Sequence, residues 1–127
     1  KAAGAKRALP LPVSVPSHCA LMKPAAAQLA SDLASMSFNA PSFAVVNNVD
    51  VAIAADEAAV KDALVRQLYS PVRWTETIEW LSAQGVTQVV EIGAGKVLNG
   101  LVKRINRDLE VSSVNDLASF KAAFAAE

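Results

Sequence analysis

Residues Val86 to Ile92 are mainly β-branched and apolar and run straight into Gly93-Ala94-Gly95, after which Val97, Leu98, Leu101, Val102 and Ile105 recur at helical spacing. Strand, glycine turn and helix in immediate succession is the step from which α/β layers are built, and it constrains this chain more tightly than any other stretch. Leu109, Val111 and, less regularly, Val114 suggest one more strand. Asn115 or Asp116 is placed to cap a last helix that buries Leu117, Phe120 and Phe124. The alternation predicts an α/β architecture with a largely parallel sheet.

Upstream the punctuation is equally readable. Ala8 to Val15 is apolar and extended, but Pro10 and Pro12 disfavour both helix and central strand, so it reads as an edge strand leading into a turn. Pro24 fits a first helical turn, and Leu29, Leu33 and Met36 follow at intervals of four and three, predicting an amphipathic helix over about Met22 to Ser35. Asn39, Pro41 and Ser42 interrupt it. Phe43-Ala44-Val45-Val46 has the character of a short buried strand, and a second extended piece, Val49 to Ala54, follows closely. From Asp56 a helical stripe runs through Val60, Ala63, Leu64, Gln67 and Leu68, with Gln67 as its polar exception. Pro71 ends that helix, and Trp74, Ile78 and Leu81 mark another that Gly85 closes.

With 127 residues, 53% of them hydrophobic, the chain fits one domain with a real core and not a disordered segment. Twelve basic residues balance twelve acidic ones, which argues against nucleic acid as a general partner and leaves anion recognition to local patches. Cys19 is the only cysteine, so no internal disulfide forms and a reducing cytoplasm is the simple reading. No apolar run approaches the ~18 residues of a membrane-spanning helix, and the first residues do not form a signal sequence. The chain opens at Lys1 rather than at a methionine, as a segment of something larger would.

His18, the only histidine, follows the expected edge strand at a turn beside Ser17 and ahead of a helix. Loop histidines at strand ends are where a general base is held, although a surface histidine is the plainer alternative. Pairing with Cys19 as a nucleophile is disfavoured because adjacent side chains point apart. No Gly-x-Ser-x-Gly elbow occurs, which excludes a complete serine triad within these residues. One histidine and one cysteine do not make a usual zinc site. Gly93-Ala94-Gly95-Lys96 lacks the spacing of a phosphate loop, and Val97 replaces its hydroxyl, so a tight strand-to-helix turn is preferred. Lys96, Lys103, Arg104 and Arg107 form an acid-free basic patch, with Lys6 and Arg7 a smaller pair; each suits phosphate or an acidic partner, or is simply a solvated face.

The run from Gly4 to Lys23, which includes Val15-Pro16-Ser17-His18-Cys19-Ala20-Leu21-Met22, closely resembles the segment of bacterial malonyl-CoA:acyl carrier protein transacylases that holds their catalytic histidine. Val45-Val46-Asn47-Asn48-Val49-Asp50, then Leu64-Val65-Arg66-Gln67-Leu68-Tyr69 with Pro71-Val72-Arg73-Trp74, and finally Glu91 to Lys103 follow the same family in order. One departure is Ala94, where the family often has proline between the glycines.

The resemblance implies the C-terminal part of a hydrolase-like parallel-sheet core. Residues 1–14 would end an inserted ferredoxin-like small subdomain, and residues 15–127 would belong to the acyltransferase core. It implies a ping-pong reaction in type II fatty acid synthesis, in which a serine takes malonyl from coenzyme A and passes it to the phosphopantetheine thiol of acyl carrier protein. His18 would be the base, oriented by the main-chain carbonyl of Gln67; for Gln67 a tolerated polar edge residue is the alternative. Ser17 would face the acyl pocket, Lys103 and Arg104 would dock the acidic carrier protein, and Lys6 and Arg7 would assist near the substrate entrance. No metal or cofactor is implied beyond the coenzyme A thioester as substrate. The nucleophilic serine would come from a missing N-terminal part, leaving this chain inactive and prone to aggregate by itself. A carrier-binding module without catalysis and a fragment of a polyketide synthase acyltransferase are the alternatives; Val15-Pro16-Ser17-His18 and the lack of flanking linkers favour the discrete bacterial enzyme.

Overall fold

The computed structural model describes residues 2–10 and 12–124. After an irregular N-terminal stretch, a 3-10 turn (Ala20–Met22) leads into α1 (Lys23–Ala34), followed by β1 (Val46–Asn47), β2 (Ala52–Ile53), α2 (Glu57–Gln67) and α3 (Trp74–Ala83). The chain then alternates through β3 (Gln88–Ile92), α4 (Val97–Ile105), β4 (Glu110–Val114) and α5 (Leu117–Phe124).

Local chemistry sets the helix ends. Pro24 lies in the first turn of α1. Asp56 caps α2 by accepting the Ala59 N–H at 2.8 Å, and Glu57 in the first turn suits the positive end of the helix dipole. Gly85 closes α3 at φ +83, with its own N–H donated to Ser82 and that of Val86 to Leu81, the paired bonds of a Schellman ending. No residue next to α4 caps it. Glu91, near the end of β3, reaches across instead, its two carboxylate oxygens accepting the N–H groups of Leu98 (3.1 Å) and Asn99 (2.9 Å).

β3 and β4 pair in parallel, Val89 opposite Val111 and Ile92 opposite Val114, with α4 as the crossover between them. The core lies on that unit: Ile78 of α3, Val102 of α4 and Leu109 are buried together, with Trp74, Leu81, Val89, Ile105 and Val111 packed around them. Burying a side chain of this size contributes about 1.5–3 kcal/mol. A second contact joins α1 to α2, where Ala26, Leu33 and Ala63 are buried.

Several expectations are corrected. Within the anticipated edge strand the described residues form no strand, because Pro10 and Pro12 have no N–H to donate and no described strand lies alongside; Leu11 lies outside the described residues. The anticipated buried strand at Phe43–Val46 is only the two-residue β1, antiparallel to β2, and Phe43 is 73% exposed. Parallel pairing therefore describes β3 and β4 alone among the described residues. On α4, Val102 and Ile105 face the core, whereas Val97, Leu98 and Leu101 are exposed. Leu117, Phe120 and Phe124 on α5 are exposed as well, the two phenylalanine rings lying 5.0 Å apart against each other. No helix among the described residues is long and apolar enough to cross a membrane.

Candidate functional site

His18 sits in a compact turn that the chain folds onto the C-terminal end of α2. Ser17 donates its N–H to Val15 (2.8 Å), the Cys19 thiol donates to the Pro16 carbonyl (3.2 Å), and Met22 donates its N–H to Cys19 (3.0 Å). The thiol is thus occupied by its own backbone and makes no hydrogen bond to the imidazole. His18 itself adopts φ +61, the left-handed region that bulky residues seldom enter but histidine tolerates better than most.

That conformation presents two donors of one residue to two successive carbonyls. The His18 main-chain N–H donates to Leu68 at 3.0 Å, and ring Nδ1 lies 2.9 Å from the carbonyl oxygen of Gln67. A carbonyl oxygen only accepts, so Nδ1 carries the hydrogen and Nε2 of the neutral ring keeps a lone pair. Gln67 ends α2, and its oxygen is one of the terminal carbonyls for which a helix has no internal partner. The negative end of the helix dipole points the same way. Gln67's amide side chain makes no hydrogen bond among the described residues.

Behind this end of α2 is a polar network. Arg66, next to Gln67, grips Asp50 with its two terminal guanidinium nitrogens, Nη1 and Nη2, each at 2.7 Å, and Asp62 with Nε at 2.6 Å. These bonds hold the Asp50 carboxyl below the usual carboxylate range and push the Arg66 guanidinium further up. Asp50 lies in the turn between β1 and β2, its N–H donated to the Asn47 side chain at 2.8 Å, with Val51 beside it at φ +58. The same turn is tied to α3: Arg73 donates its N–H to Asn48 (3.0 Å), and the buried Thr77 donates its hydroxyl to the Asn48 side chain (3.1 Å). Arg73 also pairs with Glu76.

The other expected site residues are less gathered. Ser17 is exposed beside His18. Lys103 directs its ammonium to its own chain, donating to the carbonyls of Arg107 (3.1 Å) and Leu109 (2.5 Å). Arg104 is exposed and makes no side-chain hydrogen bond among the described residues, and Lys6 and Arg7 are exposed in the irregular N-terminal stretch. An apolar cavity of about 470 Å³, lined by Phe38, Pro41, Val45, Ala54 and Val60 among others, opens between α2 and the β1–β2 hairpin. A smaller one of about 90 Å³ continues from it as far as Gln67; His18 lines neither. No group of three or more metal-binding side chains occurs among the described residues. Sequence reasoning misses Asp50 and Arg66: the four-residue step from Asp62 to Arg66 is visible there, but the pairing across sixteen residues is not.

Comparison with known proteins bears on the whole chain. The malonyl CoA-acyl carrier protein transacylase of Salmonella typhimurium is 63% identical over 123 residues, which is 97% of this chain and 40% of that protein. The resemblance to that family is thereby supported. Among solved structures, an acyl carrier protein S-malonyltransferase from Vibrio cholerae is 65% identical, with a TM-score of 0.89 over 96% of this chain and 40% of the other. A malonyl transacylase solved in complex with its type II PKS acyl-carrier protein is 61% identical, with a TM-score of 0.93 over 98% of this chain and 40% of that one. No protein-family model matches. The chain thus spans about two fifths of the length of the transacylases it matches.

Proposed function

We propose that this chain is the C-terminal, base-bearing part of a malonyl-CoA:acyl carrier protein transacylase of type II fatty acid synthesis, working in the cytoplasm. The observation that carries the reading is the 2.9 Å contact between His18 Nδ1 and the Gln67 carbonyl, which leaves Nε2 free to take a proton. In the first half-reaction Nε2 removes the proton of a serine hydroxyl supplied from outside these residues. The serine oxygen bonds to the malonyl carbonyl carbon, the carbon–sulfur bond to coenzyme A breaks, and the departing thiolate takes the proton from Nε2. In the second half the phosphopantetheine thiol gives its proton to Nε2, its sulfur attacks the malonyl ester, and the serine oxygen leaves with that proton.

The Gln67 carbonyl and the end of α2 stabilise the transient imidazolium by dipoles, without the full charge an aspartate would bring. Ser17 borders the acyl group. Because the Lys103 ammonium is held by carbonyls of its own chain, docking of the acidic carrier falls chiefly to Arg104, with Lys6 and Arg7 assisting at the entrance. The solved complex of a similar transacylase with its carrier protein supports the choice of partner.

Malonyl transfer tests this directly. The chain by itself should transfer nothing, whereas the chain joined to the unmatched part of the Salmonella typhimurium relative should transfer malonyl to carrier protein. His18→Ala in that chimera should lower kcat by about a hundredfold or more. Turnover by the chain alone, or a chimera indifferent to His18→Ala, would refute the proposal.

A further inference from the structure

Neither Arg66 nor Asp50 bonds to His18, yet both act on the helix end that does. Arg66 is the penultimate residue of α2 and Gln67 the last, so the guanidinium and the carbonyl that receives Nδ1 belong to adjacent residues. The two parallel bonds from Arg66 to Asp50 fix the end of α2 against the β1–β2 turn in a planar fork that resists rotation, and the Asp62 bond fixes the guanidinium from the other side. Asp50 is itself held, by the Asn47 side chain through its N–H and by Arg73 Nη1 at its carbonyl (3.3 Å). Beyond the last turn of α2 the chain turns away on two long backbone bonds, Leu68 N–H to Val65 at 3.3 Å and Tyr69 N–H to Arg66 at 3.2 Å, so the fork is the tie that reaches from this helix end to the β1–β2 turn.

Resting on the function proposed above, we propose that Arg66 and Asp50 are positioning residues for the base: their bidentate pair aims the carbonyls of Gln67 and Leu68 at His18 and so sets which ring nitrogen is left to react. The consequence is a tautomer. With both carbonyls in place the ring is the Nδ1–H form; with the helix end loosened, it reverts toward the Nε2–H form that an unconstrained histidine side chain prefers, and the reactive lone pair is lost.

His18 is the only histidine, so its ring nitrogens give an unambiguous 15N signature in the whole chain. The unsubstituted chain should show Nδ1–H. Asp50→Asn should shift the population severalfold toward Nε2–H and speed exchange of the His18 amide on the order of tenfold, the loss of about one hydrogen bond. Arg66→Lys, which keeps the charge and the reach to Asp62 but not the fork, should do the same and serves if Asp50→Asn fails to fold. Glu110→Gln, which removes a carboxylate bonded to Gln88 across β3 and β4 and touching no part of this network, should move neither readout. A lower melting temperature with an unchanged tautomer in the folded chain would make the pair merely structural and overturn the inference. An Nε2–H ring in the unsubstituted chain would instead refute the orientation on which the proposed function stands.

Discussion

Gln67 is the site residue whose own side chain the site does not use, and replacing it with alanine isolates that point. Gln67→Ala keeps the main-chain oxygen that receives His18 Nδ1 and removes an amide that makes no hydrogen bond among the described residues. Alanine exceeds glutamine in helix propensity by about 0.3 kcal/mol, which offsets most of the packing that a half-buried side chain supplies, so stability should stay within about 0.5 kcal/mol. The two bonds from His18 to Gln67 and Leu68 are together worth about 2 kcal/mol, and none of that is removed. Gln67→Pro is the opposite case. Its ring would meet the carbonyl of Ala63 and push Arg66 out of helical geometry, costing about 3 kcal/mol or more and displacing both acceptors. Urea unfolding gives the stabilities, and the 15N shifts of the single imidazole report the tautomer. A Gln67→Ala chain that loses the Nδ1–H form, or falls by about 2 kcal/mol, would show that the side chain and not the backbone holds the ring.

Ile78→Ala should cost about 2–5 kcal/mol in urea unfolding, because that side chain is 1% exposed at the centre of the core; Val97→Ala, at 71% exposure on α4, should stay within about 0.5 kcal/mol. Asp56→Ala removes the only side-chain cap of α2 and should cost about 1 kcal/mol, with a matching loss of helical circular dichroism. The carboxyls of Asp50, Glu57, Glu76 and Asp116 are all held below their ordinary values, chiefly by hydrogen bonds from Arg66, Lys61, Arg73 and Ser119 respectively. The unfolded chain therefore binds more protons in acid, so this stabilisation is complete above the ordinary carboxylate range, near pH ~4–5, and is lost as pH falls through the folded values. Urea midpoints taken across that range should decline toward acid, and less steeply in high salt because these pairs are exposed.

How much was legible follows the physics of each element. Helices announce themselves locally: the stripe predicted over Met22 to Ser35 is α1 within a residue at each end, and Asp56, Pro71 and Gly85 punctuate α2 and α3 where their chemistry requires. β3 and β4 were readable because a glycine turn and a crossover helix leave a parallel pair few alternatives. Ala8 to Val15 and Phe43 to Val46 were not, since a strand exists only where another backbone accepts its bonds, and apolar composition says nothing about that neighbour. The same gap explains α4 and α5. Periodicity identifies the apolar stripe of Val97, Leu98 and Leu101, or of Leu117, Phe120 and Phe124, but not how completely another element covers it, and among the described residues the cover is partial.

The site divides along the same line. A lone histidine after a proline-rich extended run could be singled out as a candidate, but its partner is a main-chain oxygen that any residue at position 67 would supply. The polar break that Gln67 makes in its stripe is thus no signature of the contact. What the sequence does determine is that a helix ends there: Pro71 prevents α2 from continuing, and a helix end must offer carbonyls it cannot satisfy. A turn that brings a residue to φ +61 aligns an N–H and a ring N–H in one direction, and the two needs meet at His18. Joining them takes a fixed helix end, which Asp50 and Arg66 provide from sixteen residues apart, a separation no local pattern encodes.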